Sequence, residues 1–324
     1  MHFDLSDLQR SWQQKARSLG RDLATDVSAG GVVLGAARVG LLDARIDLLS
    51  AAVAVEALAE ESAAAAVALA LHTGVVLGTS DQEQFATLVR GEVVAAIALS
   101  SDEMPVEQNG RLTGRATWVT PLTDHGVAVI GARTPASGLI ACLVSLETAG
   151  VRHEAIATAG LQGVVCGHLT LQDVEYVSLG SPVPVMSRAR VLLAAAGLGM
   201  GRRGLREALH AAKGHTGHGA GGEQTVQGLL ADAATELDAA MMLTWKAAAA
   251  PQLSLAEASM AKLASTEATQ RAVARATQVV GADTFRSGHI IEQLAQDVRA
   301  LELFAGRTEA LREAVASEVL PPGS

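Results

Sequence analysis

Residues 111–133 read RLTGRATWVTPLTDHGVAVIGAR, two strand-like runs joined across the turn formers Asp124-His125-Gly126. This texture decides the fold, because neither flank shares it. Short Val, Ile, Leu and Thr runs begin at Val93 and stop near Pro184, broken by Asn109-Gly110, Ser137-Gly138 and Gly160. VAAIALS, RATWVT, GVAVIGAR, LIACLVSL, GVVCGHLTL and VEYVS are the expected strands. They are closely spaced and turn-linked with no helical crossover between them, which predicts a small antiparallel barrel or sandwich.

Outward from that stretch the period becomes helical. Before it, residues 6–90 place apolar side chains at helical intervals behind an Asp4 or Ser6 cap, and the Ala-rich run 48–72 predicts one buried helix. Thr79-Ser80-Asp81 offers a cap for a further helix, DQEQFATLVRGE. After the β stretch, four long segments, 187–213, 223–250, 254–281 and 288–318, predict a four-helix bundle linked through the Gly-rich run 214–222 and Pro251. The expectation is an α+β chain: an N-terminal helical domain (1–92), a small β domain (93–185), a C-terminal four-helix bundle (186–319) and a tail (320–324).

Composition narrows the function. The 324 residues are 49% hydrophobic and 18% charged, enough apolar material for a substantial core, while 2% aromatic content leaves alanine and leucine to fill it. A net charge of -9 without a long basic run opposes nucleic-acid binding. The start, MHFDLSDLQR, lacks the basic and apolar regions of a signal peptide, and no apolar run of about 18 residues reads as a membrane span, so the cytoplasm is expected. Cys142 and Cys166 sit in strand-like segments without metal-ligand spacing and read as reduced, buried thiols.

Two motifs read as decoys. Gly199 to Gly204 spells G-x-G-x-x-G, yet it lies in a helical stretch with no second strand after it, so close helix packing explains it better than dinucleotide binding. His210, His215 and His218 surround a Gly-rich turn without cysteines or a carboxylate set, and a loop explains them better than zinc.

The order of these elements, and the motifs within them, resembles the acyl-CoA dehydrogenase family across nearly the whole chain. VAAIALSS resembles the family's segment ending in Ser/Thr-Glu-Pro, and RLTGRATWVT its L-x-G-x-K-x-W-I-T-N strand. SRARVLLAAAGLGMGRRGLREAL and EQTVQGLLADAATELDAA are similar to its first two C-terminal helices. QVVGADTF with EQLAQDVRALELFAGRTEALR resembles "Q-x-x-G-G-x-G-[FY]" followed by Arg-Asp and Glu-Gly-Thr. The resemblance implies an oxidoreductase with FAD that removes hydrogen across the α,β bond of an acyl-CoA or other acyl thioester.

By residue, the resemblance implies that Trp118 packs on the isoalloxazine, that the Thr120 hydroxyl lies near N5, and that Ser100 meets the pyrimidine side. Trp118 and Thr120 also suit an ordinary strand. The resemblance puts Arg190 close to the acyl-CoA pocket, or as a solvated helix-start charge. It puts Gln278 and Gly281 against the FAD of a partner subunit, implying a homo-oligomer (dimer or tetramer) or a hetero-oligomer with a homologous subunit.

The departures are coordinated. The family's catalytic glutamate is replaced by Ala305, and the alternative position, on the first C-terminal helix just before Arg190, is Ala189. The segment after Ser100 is shortened to Ser101-Asp102-Glu103-Met104-Pro105; His215 stands for a phosphate-binding arginine, Ala282 for a glycine and Gln296 for the arginine of Arg-Asp. Glu302, Glu309 or Asp297 would have to supply a substitute base, or else they are solvated charges and ion-pair partners. Two alternatives to an active dehydrogenase stand open: an impaired subunit of a heteromer, and a non-redox member of the fold.

Overall fold

The computed structural model describes residues 4–23, 27–43, 46–79, 85–99, 103–135, 138–214 and 224–320. Helix α1 (Asp7–Asp22) opens on a capping box, in which Ser6 Oγ accepts the Gln9 amide and the Gln9 side chain accepts the Ser6 amide. Helix α2 (Ala29–Arg38) follows. The single helix expected over 48–72 is two, α3 (Leu48–Ala59) and α4 (Ala63–Gly78), because Ser62 caps the second by accepting the Ala65 amide. Of the helix expected over DQEQFATLVRGE, the described part is the short α5 (Ala86–Val89).

His72 of α4 fixes how the helical unit meets the sheet. It is fully buried; its Nδ1 accepts the Ala95 amide, so Nε2 carries the hydrogen donated to Leu88 O. Burial pushes its pKa down to about 4, and the neutral ring is the form that can make both bonds.

Among the described residues the sheet has eight strands: β1 (Ala95–Ala98), β2 (Val106–Gln108), β3 (Arg111–Val119), β4 (Val127–Arg133), β5 (Leu139–Ser145), β6 (Val151–Ile156), β7 (Cys166–Val174) and β8 (Val177–Gly180). Their order is β6-β7-β3-β2-β4-β5-β8, with β1 beside β4. Most pairs are antiparallel, as expected, but β1 runs parallel to β4, and β2 meets β4 in parallel at Val106 and Arg133. The β2–β3 hairpin is the crossover here, a role the sequence reading reserved for a helix. Strands β2 and β6 were not anticipated; the first is three residues long and the second, with Arg152, His153 and Glu154, is largely exposed. Both cysteines are free and buried.

The bundle consists of α6 (Val183–Gly214), α7 (Gln224–Ala248), α8 (Leu255–Val280), α9 (Ile290–Leu303) and α10 (Thr308–Val319). The segment expected as one helix over 288–318 breaks at Phe304-Ala305-Gly306-Arg307, where Ala305 has φ 53° and Gly306 has φ 113°. Two successive residues with positive φ cannot continue a right-handed helix. Helix α6 is long and apolar enough to cross a membrane by length and composition, yet it forms the buried centre of the bundle.

Its G-x-G-x-x-G is a packing surface. A Cβ on Gly199 would stand 2.2 Å from Glu56 O of α3, and one on Gly201 2.5 Å from Leu237 of α7. Hydroxyls on α8 tie it to the same helix, Ser265 donating to Ala194 O and Thr269 to Gly197 O. The α4–α6 seam is equally tight. A Cβ on Gly74 would be 3.0 Å from Ala189 Cα, and one on Gly78 would be 2.6 Å from Val185 Cα.

Candidate functional site

Strand β3 ends by twisting out of the ladder. Trp118 takes φ 58° between irregular pairings with β7, and its indole is 45% exposed, edge-on to His168 at 6.1 Å and 79°. Two residues on, Thr120 is buried and locked to Ile97 of β1 by backbone bonds in both directions. Its hydroxyl faces Trp118 O at 3.2 Å and Cys166 Sγ at 3.4 Å.

Trp118, Thr120 and Ala305, remote in sequence, line one small void. Its other walls include Leu71 of α4, Ile97 and Leu99 after the helical unit, and Leu303 and Phe304 at the end of α9. The void holds about 20 Å³, room for one water-sized group. Among the described residues no ionisable side chain lines it.

Trp118, Leu303 and Phe304 also wall a larger cavity of about 460 Å³, closed on its far side by Ala157–Gly160 and by Gln296, Arg299 and Ala300 of α9. A Cβ on Gly160 would lie 2.4 Å from Gln296 O, so this loop rests directly on the helix backbone. Asp297 completes the clasp. It is 2% exposed, and its Oδ1 accepts the amide of Leu161, which has φ 54°. Burial raises its pKa to about 6, with the Leu161 amide opposing and Glu292 adding to the rise.

Behind the turn lies a contrasting environment. Arg190 Nε donates to Ala305 O at 2.9 Å and Nη1 to Ser259 Oγ at 2.7 Å. Lys262, fully buried, donates to Gly306 O at 3.0 Å and Glu302 O at 3.4 Å. Burial, reinforced by Arg190 and opposed by Glu302, lowers the Lys262 pKa to about 7. Burial likewise lowers that of Arg190 to about 10.

The candidate substitute bases point elsewhere. Glu302 accepts from Gln270 at 2.9 Å and from Thr308 at 2.6 Å on the α8 side, the Thr308 bond chiefly lowering its pKa. Glu309 is exposed in the first turn of α10, and Asp297 faces the loop. Ala189 is buried and packs against Gly74 of α4.

The structure brings Trp118, Thr120 and Ala305 together, with Arg190 directly behind the last. Gln278 is exposed near the end of α8 and Gly281 closes that helix at φ 78°; neither lines the two cavities. Ser100, His215 and His218 lie outside the described residues. Sequence reasoning missed Lys262, Leu71 and the Asp297 clasp. The signal for Lys262 was its place among Ala258, Ala261, Ser265 and Thr269, small residues at helical spacing that make a buried face.

For the flavin that the resemblance implies, the ring portion fits. The larger cavity falls within the range of about 300–1,000 Å³ typical of small-molecule sites, and Trp118 and Phe304 give it aromatic walls. Arg299 is the one charged side chain lining it among the described residues, a cation suited to a phosphate or ring oxygen at the rim.

Comparison with known proteins agrees with this geometry. The family model described as acyl-CoA dehydrogenase, C-terminal domain, matches residues 184–320. The chain is 26% identical over 317 residues to the mitochondrial short-chain specific acyl-CoA dehydrogenase of Homo sapiens, covering 86% of this chain and 77% of that protein. Its fold is shared with butyryl-CoA dehydrogenase from Megasphaera elsdenii, at TM-score 0.85 and 19% identity over 99% of this chain and 100% of that one. A glutaryl-CoA dehydrogenase from Mycobacterium smegmatis in complex with FADH2 superposes at TM-score 0.79 and 16% identity, over 99% of this chain and 96% of that one.

Proposed function

This chain belongs to the acyl-CoA dehydrogenase family, and from that premise we propose that it is an FAD-binding, acyl-thioester-binding protein that cannot by itself abstract the α proton. The observation that carries the reading is the void shared by Trp118, Thr120 and Ala305, whose lining among the described residues includes no group able to accept a proton. FAD bound beside it would supply the hydride-accepting centre.

The chain's own residues prepare that junction. Trp118 offers an indole face, and Leu303 and Phe304 form apolar walls shared by the two cavities. Arg190 and Lys262 hold the carbonyls of Ala305 and Gly306, fixing the turn without presenting a base. These features favour a subunit that works with a base-bearing homologue over a self-sufficient dehydrogenase.

The visible spectrum of the purified protein tests the cofactor: a flavin band near about 450 nm is expected. Anaerobic addition of acyl-CoAs then tests the chemistry. The expected result is a perturbed but unbleached band; stoichiometric bleaching by the chain alone would sink the reading.

A further inference from the structure

We propose that His168 is a positioning residue for Trp118: its ring fixes the angle of the indole, and with it the shape of the wall against which a flat ligand in the larger cavity would lie.

The register of the sheet brings the two side chains together. Val119 of β3 pairs with Gly167 of β7, so one step to either side sets Thr120 beside Cys166 and Trp118 beside His168. The first pair is joined at 3.4 Å between Thr120 Oγ1 and Cys166 Sγ, and the second is the edge-on ring contact at 6.1 Å. Beyond them the ladder slips before Ala116 meets Leu169, and Trp118 sits inside that irregularity.

The two partners are held very differently. Strand β7 lies between β6 and β3, and Gly167 and Leu169 on either side of His168 pair with both, so the backbone that carries the imidazole is fixed. Trp118 has its backbone tied through Thr120, whose hydroxyl faces Trp118 O, but its indole is 45% exposed and lines both cavities. Burial alone does not choose a rotamer for such a side chain; a rigidly mounted ring beside it does. Hydrogen bonding does not explain the imidazole, whose Nδ1 is buried without a partner among the described residues. What remains is ring against ring.

Fluorotryptophan labelling gives one fluorine NMR line for each of Trp12, Trp118 and Trp245, and Trp118→Phe assigns the relevant one. In the unaltered protein that line is expected to be single and narrow. His168→Ala is expected to split or broaden it as the indole samples further rotamers, with Trp12 and Trp245 unmoved; His168→Leu, which fills the space without a ring, is the second variant should the first fold poorly. His168→Phe keeps a ring and removes the unpaired nitrogen, so it is expected to restore the narrow line. FAD titrated into the flavin-free protein is expected to bind roughly twofold to tenfold more weakly to the ringless variants, the contribution of one aromatic pair; this arm rests on the FAD reading. An unchanged Trp118 line in both ringless variants, a His168→Phe that behaves like them, or an FAD affinity indifferent to the ring overturns the proposal. Should no form take up FAD, that reading fails by itself, and the Trp118 line alone decides the role of His168.

Discussion

The two sides of the Phe304 to Arg307 turn differ sharply. Toward the sheet, Ala305 faces an apolar void with no ionisable lining among the described residues; toward α8, the carbonyls of the same turn are held by two buried basic side chains, Arg190 and Lys262. The difference teaches that the turn is held from behind, so its shape survives without a carboxylate in front. The charged scaffolding of the site and its chemistry are separable.

Breaking the rear side should have the largest effect. Arg190→Leu leaves Ala305 O without its donor beside a still-buried Lys262, and a loss of about 3 kcal/mol is expected in denaturant titration. A loss under about 1 kcal/mol would mean that the guanidinium does not hold the turn.

Filling the front comes next. Ala305→Glu forces a long carboxylate into a void of about 20 Å³, and a destabilisation on the order of 2–3 kcal/mol is expected, with no gain of acyl-CoA-dependent bleaching. A stable variant that bleaches would show the front to be more open than these walls allow.

Asp297 is the buried acid nearest this front side, and its effect depends on pH. Its folded pKa is raised from 3.8 to about 6, so across that window the native state keeps a proton that the unfolded chain has released. Stability from this group is therefore present at low pH and falls as pH rises, levelling above about pH 6. Asp297→Asn keeps an acceptor for the Leu161 amide and is expected to stabilise the protein by up to about 2 kcal/mol above that pH, and not below about pH 4. Thermal melts at the two ends of the range check this; destabilisation at the upper end would show that the charge itself holds the loop.

The smallest effect is expected from Ala305→Gly. It relieves a left-handed Ala at φ 53° against the greater freedom of an unfolded glycine, for a net gain below about 1 kcal/mol in melting experiments.

Much of this arrangement was legible. The β texture from Val93 and the helical flanks follow from pattern, and that Trp118, Thr120 and position 305 serve one site was what the resemblance implied. The G-x-G-x-x-G was readable as helix packing because its flanks were helical. Helix breaks were harder. Ser62 is a cap hidden in an alanine run where every residue favours helix, and Gly306 carries a stop signal that the strong period on both sides obscured.

Orientation was out of reach, because a helical carboxylate reads alike whether it faces a pocket or a neighbour. Glu302 turned to Gln270 and Thr308, and Asp297 to a loop 136 residues earlier. Lys262 reads as a solvated charge until its buried neighbours are assembled. Strands β2 and β6 escaped because polar, exposed residues carry little alternation.

The glycine seam bears on how this protein can evolve. A larger side chain at Gly74 or Gly78 meets the backbone of α6, while a smaller one does not exist, so no single substitution at these two positions respaces the helices by degrees. Respacing α4 and α6 requires the two helices to move together, through intermediates that pack poorly. Selection acting one residue at a time would meet a barrier there, so the α4–α6 spacing is expected to resist change at either glycine alone.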